Sequence, residues 1–284
     1  MPETKAAMHG AVSIVNAIAT GKGATLGISL NVEANVETTP GTGIFFENRE
    51  SSLSARLIRA VIEQVVTKPD LEKNKIRIMI KSEIPSGYGL KSSSAISSVV
   101  SLACAKIFRP KATDFEILRY GVEASIQTKV SITGAFDDAC ACYYGGFVVT
   151  DNTNLKIIKS EKAPEDLIAV IFIPRSRRRG NVKKLKILDG VFSQAWALAN
   201  NSDYWNAMML NGLATSATLN SDPRIITDLV ESGALAASVS GNGPAIAAIS
   251  KKENLSNVKK VFSSMDGRTV ISSINNKKAE VHEM

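Results

Sequence analysis

The chain has 284 residues, of which 44% are apolar and 21% charged, with a formal net charge of +7. That balance belongs to a globular protein with a real core, long enough for one large domain or two ordinary ones, and it argues against a disordered or low-complexity chain. Three cysteines, Cys104, Cys140 and Cys142, make no even disulfide framework, and the two histidines, His9 and His282, lie near the ends. A zinc cluster, a Ser-His-Asp triad and a Cys-His pair are therefore disfavoured, and reduced thiols in a cytoplasmic protein are expected. The opening residues lack a long apolar run after a basic start, so no secretory signal is expected.

Residues 24–38 alternate well enough to form strand. Over 52–66, Leu53, Leu57, Ile58, Val61, Ile62 and Val65 share one helical face. Ile76, Ile78 and Ile80 alternate as a strand over 75–81. An apolar helix is expected at 92–108, ended by Arg109-Pro110, and another at 114–128 with Thr113 as its cap. Residues 129–146 read as loop, polar at the centre around Asp137-Asp138. Strands are expected at 146–150, 155–160 and 167–173.

Beyond Pro174 the spacing predicts helices at 183–200, 203–219 and 223–232, strands at 235–240 and 245–250, a helix at 254–264 and a strand at 267–274. The uncharged stretch 232–250 carries Gly233, Gly241, Asn242, Gly243 and Pro244, which makes it strand, loop and strand and not a membrane span. The mixture reads as α+β, with a boundary between 155 and 175 that gives domains of 1–160 and 161–284.

The most informative segment is Ile84-Pro-Ser-Gly-Tyr-Gly-Leu-Lys-Ser-Ser-Ser-Ala95, a glycine-rich loop running into a helix. The first N–H groups of a helix have no internal partner, and its dipole places about half a positive charge there, so this is a place to hold phosphate. Gly87 and Gly89 allow close backbone approach. Ser92, Ser93 and Ser94 offer hydroxyls for capping, phosphate or a metal, and Lys91 adds a charge at the mouth. The segment is not a Walker A motif, because Leu90 stands where glycine must precede Lys91-Ser92. A dinucleotide fingerprint fails as well, for want of a third glycine at Ser92.

Other constellations are weaker alone. Asp137-Asp138 precedes Gly145-Gly146, and a carboxylate near a phosphate loop can take a hydroxyl proton, orient it, or hold Mg²⁺. Ser240-Gly-Asn-Gly-Pro244 and Asn16-Ala-Ile-Ala-Thr-Gly-Lys-Gly23 are further glycine turns. Arg175-Ser-Arg-Arg-Arg179 with Lys183, Lys184 and Lys186 is a dense basic cluster that could meet nucleic acid or an acidic small substrate. No aromatic residue is interleaved with it, which argues against an RNA-binding protein.

In their order these pieces resemble the GHMP small-molecule kinases, whose central motif is Pro-x-x-x-Gly-Leu-Gly-Ser-Ser-Ala-Ala. Here it reads Pro85-Ser86-Gly87-Tyr88-Gly89-Leu90-Lys91-Ser92-Ser93-Ser94-Ala95, departing at Lys91 and Ser94. The third motif is similar to Val239-Ser-Gly241-Asn-Gly243-Pro244, and the family's spacing to a Gly-Gly pair selects Asp138. Within the superfamily, the segments 16–23, 89–95 and 133–139 resemble the archaeal-type shikimate kinases. The resemblance implies an N-terminal domain of ribosomal-protein type and a C-terminal ferredoxin-like domain, with the site between them. It implies ATP-dependent phosphorylation of the shikimate 3-hydroxyl, on the route to chorismate and aromatic amino acids, with Mg²⁺.

On that resemblance the residues 85–95 with Gly241 and Gly243 hold ATP, Ser92 and Glu123 are metal-ligand candidates, and Asp138 is catalytic, with Lys5 where related kinases carry an N-terminal lysine. Asn16, Lys22, Asp137 and Arg175 are substrate candidates, the shikimate carboxylate calling for a cation among Lys22, Arg175 and 177–179. Homoserine, mevalonate and pantoate are the alternative acceptors. No nucleic-acid or membrane partner is expected, and the oligomeric state is left open.

Overall fold

A computed structural model describes residues 2–47, 55–177, 180–219 and 221–284. The chain runs β1 (Glu3–Val15), β2 (Lys22–Pro40), β3 (Gly43–Phe46), α1 (Ala55–Val65), α2 (Lys68–Lys73), β4 (Asn74–Ser82), α3 (Ser92–Phe108), α4 (Asp114–Gln127), α5 (Phe136–Tyr144), β5 (Phe147–Asp151) and β6 (Lys156–Glu161). It continues through β7 (Leu167–Pro174), α6 (Asp189–Asn200), α7 (Tyr204–Thr218), α8 (Arg224–Glu231), β8 (Ala234–Val239), β9 (Ile246–Lys251), α9 (Leu255–Val261), β10 (Gly267–Ser273) and β11 (Glu280–Glu283).

The first sheet has the order β11-β1-β2-β4-β3, with β5 also paired to β2 and β6 to β5. Strand β2 makes this possible by its length of 19 residues. It pairs with β1 along most of its course, with β4 over Val32–Pro40, and with β5 over Lys22–Leu26. One face of the sheet is dry. Ala6 and Met8 are buried there while Lys5, Ala7 and His9 face outward, the alternation that a one-sided sheet demands. Helices α3 and α5 lie on that face, and α1 and α4 pack against α3. Nearly all of α3 is buried, and its Ser, Ala, Val and Cys side chains are small enough for a central helix.

The second sheet, order β10-β7-β9-β8, is antiparallel throughout. With the helices between β7 and β8 and α9 between β9 and β10, the connectivity is β-α-β-β-α-β, a ferredoxin-like unit. Two features sew the lobes together. The chain returns after β10 so that β11 pairs with β1, and Asn276 brackets Ala163, accepting from its N–H and donating to its carbonyl, each at 2.8 Å. The Phe147 ring also stacks on Tyr204, with centroids 3.8 Å apart.

Most elements stand within a few residues of the expected spans, so the α+β reading holds. The expected division at 160 falls at the end of β6, but β11 belongs to the first sheet. Residues 51–54 of the first expected helix lie outside the described residues. The stretch 129–146 is not all loop, since Phe136–Tyr144 is helical. Its two aspartates sit in the first turn, where the helix dipole favours acids, so their polarity mimics that of a loop. The expected helix 183–200 is two pieces, a 3-10 turn over Val182–Leu188 and then α6. Among the described residues, no helix is long and apolar enough to cross a membrane, and all three cysteines are free and buried.

Phe147 is 4% exposed and packs between the lobes. Phe147→Ala should lower the unfolding free energy by about 3–5 kcal/mol, as read by chemical denaturation. A loss below 1 kcal/mol would mean that this stack does not hold the lobes together.

Candidate active site

Helix α3 opens at the loop where the two lobes meet. Its N-cap is Lys91, which sits in the left-handed region (φ 66°) and supplies no side-chain cap. The expected serine cap is therefore absent, and Ser92, Ser93 and Ser94 line a cavity of about 290 Å³ at the helix N-terminus. The amides of this first turn face the space where an anion would sit. Gly87, Gly89, Leu90 and Lys91 continue the wall.

Lys91 does not stand at the mouth. Its side chain is 4% exposed and turns inward, donating to Ser13 Oγ at 2.6 Å and meeting Asp138 Oδ1 at 2.8 Å. A non-glycine residue in the left-handed region costs about 1–2 kcal/mol, and burying an ammonium costs more unless it is paired. Both costs are borne here to place one cation beside one carboxylate.

That carboxylate belongs to α5. Ala135, also left-handed at φ 53°, starts the helix and aims Asp137 and Asp138 in different directions. Asp137 is buried and held by protein: Asn152 Nδ2 donates to it at 2.7 Å and Thr25 Oγ at 3.4 Å, while its own N–H donates to Asn152 Oδ1. Gly23 permits this, since a Cβ there would lie 2.3 Å from Asp137 Oδ2. Asp138, partly open to the cavity, carries the more unusual electrostatics. Burial and the neighbouring Asp137 push its carboxyl from 3.8 up to about 7, against the opposing pull of Lys91.

The second lobe closes the site through its glycine turn. Ser240 Oγ donates to the Gly89 carbonyl (2.8 Å), the Ala245 N–H to the Tyr88 carbonyl (3.1 Å), and the Gly241 N–H to Ser13 Oγ (2.9 Å). Asn16 Nδ2 donates to the Gly241 carbonyl at 2.8 Å, and the Asn16 N–H donates to Asn211 Oδ1. Gly89 is indispensable to the contact: its φ is +85°, and a Cβ would lie 1.9 Å from the Ser240 carbonyl oxygen.

The expected residues divide accordingly. The structure brings Gly87, Gly89, Leu90, Lys91, Ser92, Ser93, Ser94, Asn16, Asp137, Asp138 and Gly241 to one cavity. Pro85, Ser86, Tyr88, Ala95 and Gly243 shape the loops without lining it; Ala95 is in the core, and the Gly243 N–H donates to the Ser240 carbonyl.

Four expected residues lie elsewhere. Lys5 pairs with Glu33 at 3.0 Å, eight positions along β1 from Ser13 and so roughly 25 Å away. Glu123 pairs with Arg119 on the surface of α4. Lys22 lies over the Trp196 ring, 4.7 Å from its centroid. Arg175, 83% exposed, pairs with Asp266. Arg177 lies above the Tyr88 ring (5.3 Å), and its Nε donates to Tyr88 Oη. Residues 178 and 179 lie outside the described residues.

Sequence reasoning missed Ser13, Thr25 and Asn152, isolated polar residues on strands or just past them, with no motif to betray them. It also missed Val130, Ser131 and Ile132, cavity residues in what read as featureless loop.

The model of the GHMP kinases N terminal domain matches residues 56–146. The shikimate kinase of Methanosarcina mazei is 38% identical over 283 residues, covering 96% of this chain and 95% of that one. That of Pyrococcus furiosus is 37% identical over 245 residues, with 84% and 88% covered. The chain belongs to the archaeal shikimate kinase family of GHMP kinases. Solved structures agree on the fold: homoserine kinase from Cytophaga hutchinsonii superposes with a TM-score of 0.74 at 18% identity, covering 99% and 97% of the two chains. Mevalonate kinase from Methanococcus jannaschii does so with 0.73 at 16%, covering 96% and 98%. In this GHMP kinase the protein is an ATP-using phosphotransferase whose glycine loop carries Lys91 where the family motif has glycine.

Gly89→Ala should weaken ATP binding by roughly tenfold or more, about 1.4 kcal/mol by titration calorimetry, because the loop can no longer seat against Ser240. Gly23→Ala, which disturbs only Asp137, should lower turnover and leave ATP affinity within about threefold. Equal ATP affinity in wild type and Gly89→Ala would disprove the seating role.

Proposed function

We propose that the protein phosphorylates the 3-hydroxyl of shikimate with ATP, giving shikimate 3-phosphate and ADP. The observation that supports this reading best is the meeting, in one cavity, of an open helix N-terminus with a half-buried carboxylate raised toward neutrality. The acceptor rests on the relatives named shikimate kinase, which are alike over nearly the full chain.

The amides at the start of α3 and the Lys91 ammonium take the negative charge of the transferring phosphoryl group and its neighbours. Asp138 accepts the proton of the 3-hydroxyl as its oxygen bonds to the γ-phosphorus. The bond from that phosphorus to the β–γ bridging oxygen breaks, and ADP leaves with the electron pair. Asp137 is held by Asn152 and Thr25, and its charge raises the proton affinity of Asp138.

The donor set fits a nucleotide-borne Mg²⁺. Among the described residues no three acidic, histidine or cysteine side chains cluster, and this ion commonly keeps waters and phosphate oxygens with few protein ligands. Ser92 and Ser93 would hold it, and when bound it neutralises phosphate charge. Glu123 lies off the cavity and does not serve.

Two measurements test the reading. In a coupled assay with ATP and Mg²⁺, shikimate should be turned over, and homoserine, mevalonate and pantoate should not; turnover of homoserine alone would overturn the acceptor. Asp138→Asn should cost about 10²–10⁴ in kcat.

The pH profile of kcat/KM reports groups on the free enzyme, so it should fall below pH about 7 as Asp138 takes up a proton. Asp137→Asn removes a raising charge and should shift the midpoint down. Lys91→Met removes a lowering one and should shift it up. By linkage, the raised carboxyl favours the protonated folded state, so the stability it contributes is present below pH 3.8 and is lost as pH climbs through about 7.

A further inference from the structure

The cavity has a second wall of a different character. Val130 and Ile132 line it, although they are 42% and 64% exposed, and Ile18 joins them from the turn after β1. A single exposed aliphatic side chain needs no explanation, but two on one short loop, turned into a cavity that also holds Asp138, do. Phosphate gains nothing from these methyl groups.

The loop is built to hold them there. Lys129 adopts the left-handed conformation (φ 58°), reversing the chain at the end of α4. The N–H groups of Val130 and Ser131 then both donate to the Ser125 carbonyl, at 3.0 and 3.2 Å. Further on, Gly134 packs so tightly that a Cβ would lie 2.5 Å from Val122 Cγ1. Fixed at both ends, the loop presents Val130 and Ile132 as a preformed surface and not as a slack one.

We propose that Val130 and Ile132, with Ile18, form the apolar half of the acceptor subsite and select a carbocyclic hydroxy acid over an open-chain one. This rests on the reading of the protein as a shikimate kinase. A cyclohexene ring offers a contiguous C–H face, which can cover both side chains while a hydroxyl on its edge reaches Asp138. An acyclic acceptor of equal charge presents its carbons singly and leaves the wall wet.

The test is steady-state kinetics of Val130→Ser, Ile132→Ser and the conservative Ile132→Val, each with thermal melts. Both serine variants should raise the KM for shikimate on the order of tenfold, the scale for losing apolar contact in a specificity pocket. The kcat should stay within about threefold and the KM for ATP within about twofold, while Ile132→Val restores most of the shikimate affinity. The melting temperature of Ile132→Ser should scarcely move, because that side chain is largely exposed. Unchanged shikimate KM in both serine variants, or equal rises for shikimate and ATP, would overturn the subsite while leaving the kinase assignment intact. Inactivity of the wild type on shikimate would remove both.

Discussion

The seam between the lobes depends on one close approach, the Gly89 backbone against the turn that begins at Ser240. Nothing larger than hydrogen fits at Gly89, and three hydrogen bonds gather around that point: Ser240 to Gly89, Ala245 to Tyr88, and Gly241 to Ser13. The phosphate loop is thus not free-standing. Its carbonyls are engaged by the second sheet, which leaves the amides at the start of α3 turned toward the cavity. Buried polar networks of this kind specify a unique arrangement when every member is satisfied, and here the members come from β1, the glycine loop and the loop between β8 and β9.

On that frame the charges sort themselves. Two adjacent aspartates in one helical turn would repel each other if both faced the same space. Asn152 and Thr25 hold Asp137 in the wall, and Lys91 meets Asp138 in the cavity. The result is one carboxylate fixed in the wall by neutral donors and another raised toward neutrality by burial and by the first.

How much of this was legible in the chain follows from the physics of each element. Strongly alternating runs such as Ile76, Ile78 and Ile80, and glycine motifs followed by serines, carry their signal locally, and β4 and the start of α3 stand where expected. Strand β1 shows no clean period because Thr4, Ala6 and Met8 alternate only weakly and Gly10–Val15 is buried on both faces. Strand β11 looks like a polar tail, and its pairing with β1 and the Lys106–Glu283 ion pair order it. Helix α5 hid behind its own acids. At the site, the residues inside glycine motifs were found, whereas Ser13, Asn152 and Val130 were not, because their roles exist only once distant segments meet. Lys5 and Glu123 lie off the cavity for the converse reason: the resemblance brought them forward, and each is paired on the surface by a near neighbour, Glu33 or Arg119.

The lysine in the glycine loop draws these strands together. The backbone at position 91 is left-handed, a conformation that suits the glycine of the family motif and penalises any side chain. Here a lysine accepts that penalty and its ammonium reaches Asp138 from the loop itself. A cation on a separate strand could drift relative to the α3 amides. One on the residue that caps the helix cannot, because the turn that aims the amides also aims the ammonium. In the proposed mechanism the aim of the α3 amides and the charge beside Asp138 are thus set by the same backbone turn.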